Sequence, residues 1–379
     1  MPRPMGLRPA FEEGDSVDNS KVLLFRQKNR WGLTALSIVL CLVLLIPALT
    51  MAVMSPQIIL FIPVLVLALL GFVGPVSAVF FVALFIALSW ALLGALGGLC
   101  AALFFVPVVA ASAVTVERRM PFTMSVGICA GVMFVALELI MAVLSAAAGT
   151  DIVSAVSELM RQSFDMLGGM ADPLLAAFAQ MGIIAAPEGV DLAAVISGTL
   201  LDAQSRTQMV NSLIYYIDAG LRYELPAQMV TGSLVCGLLG QAVLRRGVLR
   251  RGIEVPYMPL RTWRLPKGWG RVLGVTLAAF YLGAMLLPDR LTSTFYVFGS
   301  VFDEIFMLQG IAAVCYMLHR RGLSRAWQGL VFVAGYFLLG TLAIMLGIAD
   351  QAFDFTHRRA ELDQTENPYD PFNFRRRQK

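Results

Sequence analysis

The chain has 379 residues, of which 58% are hydrophobic and only 14% charged, with a formal net charge of +4 and a mean hydropathy of +0.75. Soluble domains run at roughly 45–50% apolar and about 25% charged, so these few charges cannot cover a water-facing surface. Cytosolic enzymes, nucleic-acid binders and secreted disulfide scaffolds are excluded, and a polytopic membrane protein remains.

Residues 1–30 form a charged lead segment of both signs, without the early apolar core of a cleavable signal peptide. From Trp31 onward the chain is a series of apolar runs, each near the ~20 residues that cross ~30 Å of hydrocarbon. Spans are expected at 32–53, 57–72, 75–93, 96–115 and 121–147, within a first membrane unit of residues 31–148. Ser55-Pro56 and Gly74-Pro75 read as tight turns between short helices. An open-ended segment in lipid satisfies its own backbone only as a helix, so the fold class is all-α: a transmembrane helical bundle of about 8–10 membrane helices.

Residues 149–224 are the one long non-membrane stretch, rich in Asp and Glu with only Arg161, Arg206 and Arg222 against them. Ile152, Val156, Leu159, Met160, Phe164 and Leu167 recur at helical spacing, as do Met209, Leu213, Tyr216, Ile217 and Leu221. This stretch reads as an acidic insert of amphipathic helices on the external face. Residues 225–359 hold the remaining spans, at 226–245, 270–287, 293–318 and 326–349, with a basic loop at 246–270. A charged tail of residues 360–379 follows.

Basic residues cluster in the lead segment, at Arg118-Arg119, after the sixth span and at Arg320, Arg321 and Arg325. Each cluster follows an even number of crossings, which places all four on the cytoplasmic side with the N-terminus. The last apolar block is read either as one span or as two short helices turning near Leu339-Gly340. A single helix from Ala326 to Arg359 would be about 50 Å long, more than a bilayer needs. The hairpin is therefore preferred, giving ten membrane helices and a cytoplasmic C-terminus.

No HExxH, GxSxG, Walker A or dinucleotide fingerprint is present, so no enzyme activity, cofactor or metal site is expected. The cysteines lie singly in apolar stretches and read as small core residues. Gly94-x-x-x-Gly98 and Gly127-x-x-x-Gly131 read as sites of close helix packing.

Acids within apolar helices are the informative residues, because a charge at mid-bilayer costs at least ~2.5–3.5 kcal/mol on insertion scales. Glu138 shares a stripe with Gly127, Gly131 and Ser145 and is expected to point toward other helices. Asp303 and Glu304 enter the outer half of the eighth span, with Gly299, Asp303, Phe306 and Gly310 on one face, and with Arg290 and Arg222 as candidate partners. Asp350, Asp354 and His357 share a face of the last helix, read as a solvated helix end. Tyr257, Arg261, Trp263, Arg264 and Trp269 mix aromatics with basics beside a span, which suits an interfacial lipid anchor or a docking surface for a partner.

Trp263-Arg-Leu-Pro266 before a span, Gln309-Gly310-Ile311 inside a late helix, and Leu346-Gly347-Ile348-Ala349-Asp350 followed by Asp354-Phe355 resemble the YybS-like family of bacterial integral membrane proteins. The likeness runs from about Trp31 to Arg359. Thr356-His357 departs from the usual ending, and the acidic insert is long for the family. That family is distantly similar to substrate-binding subunits of energy-coupling-factor transporters.

The function of that family is not established. The leading reading of the intramembrane polar residues is a bacterial inner-membrane protein that binds, and in the fuller reading translocates, a small solute between helices, with Glu138, Asp303, Glu304 and Gln309 as polar contacts. The likeness to transporter subunits implies a partner ATPase subunit as the source of energy. The competing reading is a non-catalytic scaffold for cell-envelope or other membrane machinery. The bilayer is the one partner common to both, and neither involves nucleic acid.

Overall fold

The computed structural model describes residues 57–354 apart from 254, 266 and 267, and no strand is present among them. The lead segment 1–30, the expected span 32–53, His357 and the tail 360–379 lie outside the described residues. The helices are α1 (Gln57–Phe72), α2 (Pro75–Glu117), α3 (Phe122–Ala148), α4 (Ile152–Leu167), α5 (Asp172–Gln180), α6 (Leu192–Ile196), α7 (Ala203–Arg250), α8 (Trp269–Leu286), α9 (Pro288–Arg320), α10 (Arg325–Phe337) and α11 (Gly340–Phe353). Five of these are long and apolar enough to cross a membrane, and the bent pair α10–α11 makes a sixth candidate.

α2 is not one rod. Gly94 leaves the helical region (φ 74°, ψ −171°), and the Phe85 and Phe105 rings lie 4.8 Å apart. A straight helix would separate residues twenty apart by about 30 Å. The element therefore folds back at Gly94 into two antiparallel arms, which correspond to the spans read at 75–93 and 96–115. A positive φ is open to glycine without the steric cost that a Cβ adds.

α7 is the central post, 48 residues long, or about 72 Å at 1.5 Å per residue. It packs against α1, α3 and α9. Glycines set these crossings: a Cβ on Gly247 would meet the Gly71–Phe72 backbone, and one on Gly237 would lie 3.1 Å from Ala130 N. Small residues admit such backbone approach in a membrane bundle. The insert's last helix and the sixth span are thus one continuous helix with Pro226 inside it, not two elements divided near 224.

Around this post the apolar faces turn outward. Leu92, Leu93, Val275, Leu282, Leu286 and Leu338 are all more than half exposed, and α8 has no buried residue. A surface of this kind is stable only where lipid replaces water, so the protein is a multi-pass membrane protein.

Within residues 149–224, Phe164, Leu175, Ile184, Val195, Met209 and Leu213 pack into a hydrophobic core of their own. Part of the acidity of this stretch serves helix starts. Asp151, Asp191 and Asp202 cap α4, α6 and α7 by accepting from backbone N–H groups, as N-cap carboxylates do. The apolar face read for α4 is rotated from the one that packs: Val153 and Phe164 are buried, whereas Leu159 and Leu167 are exposed.

The last apolar block does turn. α10 and α11 are bent by 107° at their short break, and α11 packs across α9. A Cβ on Gly310 would overlap the Ala343 carbonyl oxygen, and one on Gly347 the Phe306 carbonyl oxygen.

Candidate functional site

At the basic end the bundle is tied together by Arg245, which is fully buried on α7. Its guanidinium donates to the carbonyls of Pro256 and Met120 and to Ser125 Oγ, and it lies 5.8 Å from the centroid of the Phe122 ring. One turn away Gln241 is equally buried and donates to Cys129 Sγ (3.3 Å), which contacts Ser112 Oγ (2.7 Å). A chain of polar groups thus links α2, α3, α7 and the segment after α7. Sequence reading counted Arg245 only as one of a basic cluster. A Gln and an Arg at i and i+4 inside an apolar run were the available signal.

The expected membrane site is not assembled as one constellation. Glu138 is exposed, as are Gly127 and Gly131, and a Cβ on either glycine would meet nothing within 4 Å. The stripe is real, but it looks away from the bundle, because α3 packs through Ser125, Cys129, Ala130, Met133 and Ala136 instead. Asp303 is also exposed, while its neighbour Glu304 is buried at 7% exposure. The face assigned to Asp303 therefore belongs, at that level, to Glu304. Arg222, read as a partner for this pair, binds Asp218 at 2.8 Å and Asp151 at 3.5 Å.

Gln309 is fully buried and structural in its contacts. It donates to Gln351 Oε1 (3.0 Å) and accepts from Leu265 N (3.3 Å), joining α9, α11 and the segment before α8. Asp350, read as part of a solvated helix end, is fully buried. The face of Tyr257, Arg261, Trp263 and Arg264 is half-buried. Tyr257 packs edge-on against Phe122, and Trp263 lies against the core of Phe122, Leu238 and Leu308. Only Trp269 of that set is exposed. Most of the segment is thus used to close the bundle's basic end. Among the described residues no group of three or more His, Cys, Asp or Glu is placed to hold a metal.

Two clefts lie along the N-terminal half of α7. One, of about 1040 Å³, runs between Ile183–Ala185 and the α7 residues Gln204, Thr207, Gln208, Asn211, Ser212 and Tyr215, ending at Tyr216. The second, of about 450 Å³, begins at Tyr216 and continues past Tyr223, Glu224 and Gln228 to Tyr296 of α9. Tyr223 and Tyr296 are stacked, with ring centroids 5.9 Å apart. The two share Tyr216 and make a track in which amides, hydroxyls and tyrosine rings alternate with Ile, Ala and Leu side chains, with Glu224 as its charged lining residue. Sequence reading missed the track. It used Tyr216 only as part of an amphipathic face and gave Gln204, Gln208, Asn211 and Gln228 no role.

The charges around the track are held in pairs. Asp172 is fully buried and takes a two-pronged contact from Arg206 (2.6 and 2.7 Å) and a third bond from Leu201 N. The Arg206 hydrogen bonds hold its carboxyl below the ordinary aspartate value, and the Arg206 guanidinium is raised in turn. Arg222 lowers Asp218 in the same way.

Residues 194–351 match a family described as predicted membrane protein (DUF2232). The matched stretch is less than half of the chain and takes in α7 through most of α11. It contains Tyr216, Tyr296, Glu304 and Gln309, but not Glu138. No curated protein and no solved structure matches the chain.

Proposed function

We propose that this membrane protein captures a small, uncharged polar solute along the outer half of α7 and passes it toward the bundle. The carrying observation is the pair of clefts that share Tyr216. Their combined lining is largely apolar surface into which amides, hydroxyls and tyrosine rings are set, with Glu224 as the charged residue, and the inner one falls within the ~300–1,000 Å³ range of small-molecule sites. Tyrosine faces and side-chain amides recognise neutral polar groups by stacking and directional hydrogen bonds. The reading assigns binding, not catalysis. If the solute is translocated, energy comes from a partner ATPase subunit, in keeping with the resemblance to the YybS-like family and through it to energy-coupling-factor subunits. In this reading the protein sits in a bacterial inner membrane, with the Arg245 end and the N-terminus cytoplasmic and the acidic module outside.

Thermal unfolding of the purified full chain against a panel of neutral and charged small solutes tests this. A saturating ligand at ~100 times its Kd adds about 2.7 kcal/mol of stability. A neutral polar solute should raise Tm in the wild type. Tyr216→Ala and Gln228→Ala should weaken that rise at least tenfold in ligand concentration, while Glu138→Gln and Asp303→Asn leave it intact. Full stabilisation retained in Tyr216→Ala and Gln228→Ala would remove the track from the site.

A second reading, the scaffold, draws on Met166, Met170 and Leu200, which are 79%, 76% and 69% exposed in the insert module. Co-purification of an envelope protein that is lost on Met166→Ser/Met170→Ser would favour it.

A further inference from the structure

We propose that Glu304 is a proton-binding site inside the membrane bundle, and that its occupancy governs how α10 packs against α9. The site is independent of the solute track: either can fail without the other. Glu304 lies on α9 at 7% exposure, and its Oε1 is buried without a hydrogen-bond partner among the described residues. Ionised carboxylates in such surroundings are either paired or neutralised.

Among the described residues, the groups that face Glu304 offer no cation: α7 brings the Cys236 thiol and α10 the Tyr336 hydroxyl near it. On α9 itself the neighbouring ionisable group is Asp303, another acid. α11 crosses this part of α9 with Gly340, Ala343 and Gly347, none of which ionises, and the buried ionisable group on that helix, Asp350 one turn beyond Gly347, is again an acid. α8 contributes Leu277 and Phe280 near Gly299 and Phe298, and its Tyr281 packs higher, against Phe295. The short turn Leu260–Thr262 carries Arg261, but Leu260 there packs at the Met307–Cys315 level, toward the basic end. The occupant that these groups favour is a proton, which makes Glu304 a neutral carboxylic acid able to donate.

Loss of the proton would leave a buried carboxylate with a thiol and a tyrosine hydroxyl but no cation to face it, and the packing must then yield. The element placed to yield is α10. It is short, it carries Tyr336, and it ends at the break where the chain bends by 107° into α11. α11 itself is locked on α9 by backbone approach at Gly310 and Gly347.

Infrared spectroscopy of the full chain in detergent or lipid reads the proton directly. The wild type should show a protonated-carboxyl band at neutral pH that fades as pH rises, is missing in Glu304→Gln and persists in Asp303→Asn. The protection factors of residues 325–339, taken relative to the intrinsic exchange rate at each pH, should fall as pH rises in the wild type and stay high in Glu304→Gln, whose neutral amide imitates the protonated acid. If Glu304→Gln does not accumulate, Glu304→Asp should shift the band instead. The proposal is overturned if neither substitution alters the band, or if the protection factors over 325–339 fall equally with pH in Glu304→Gln. It is also overturned if sodium ions replace the proton at fixed pH, abolishing the band.

Discussion

Asp172→Asn should loosen the insert module without disturbing the membrane bundle. The carboxylate is fully buried and receives both prongs of Arg206 and the Leu201 N–H. Removing one member of a fully buried pair costs about 3–5 kcal/mol. Here the Arg206 side chain is 27% exposed, so water recovers part of that loss, and about 2–3 kcal/mol is expected. The open population around Leu201 should then rise about 30- to 150-fold, at 1.4 kcal/mol per factor of ten. Hydrogen exchange of amides 168–206 in the full chain measures this directly. The pair also fixes a pH dependence. The folded-state pKa of Asp172 is lowered by Arg206, so its contribution is complete above the ordinary aspartate range and is lost as pH falls through the lowered value. Asp172→Asn should abolish that acid-side loss of protection. Exchange within threefold of the wild type, or additive effects of Asp172→Asn and Arg206→Ala in a double-mutant cycle, would refute the pairing argument.

Two further expectations concern the bundle. Gly310→Ala and Gly347→Ala should each lower stability by about 1–3 kcal/mol through overpacking, whereas Gly127→Ala and Gly131→Ala should stay within about 0.5 kcal/mol, as thermal melts in one detergent would establish. Arg245→Met should cost about 2–3 kcal/mol, because the Met120 and Pro256 carbonyls lose their donor. Protease cleavage between residues 251 and 265 should rise accordingly, with Arg245→Lys intermediate.

The membrane class and most helix positions were legible because hydropathy acts through length, which is a local property. The division between the runs 75–93 and 96–115 was readable for the same reason, but Gly94 itself reads in sequence as a packing glycine, whereas it makes the turn and a Cβ there would meet nothing within 4 Å. The continuity of α7 was not. Pro226 and the change from amphipathic to apolar pattern resemble a boundary in the sequence. Yet the helix continues through it, since a proline inside a membrane helix is tolerated where neighbouring structure compensates. Gln309 was singled out as a site residue, but its pairing with Gln351 joins residues 42 apart, which no local pattern reports.

The misplacement of Glu138 has a more general cause. Helical period states which side chains share a face and leaves open where that face looks. α3 carries two stripes of small residues. Gly127 and Gly131 form one, and Ser125, Cys129, Ala130 and Ala136 form the other; the second is the stripe that meets α2 and α7. Both satisfy the same packing rule, so only the partners decide between them. The same limit separates Asp303 from Glu304. Asp303 and Gly310 lie only about 20° apart around α9, yet Gly310 is covered and Asp303 is open. α11 crosses α9 around Phe306 and Gly310, and one turn farther out the Asp303 azimuth is left without cover. Rotation by one residue then carries Glu304 between α7 and α10. Which of the two adjacent carboxylates is buried is therefore set by where a short, bent helix stops.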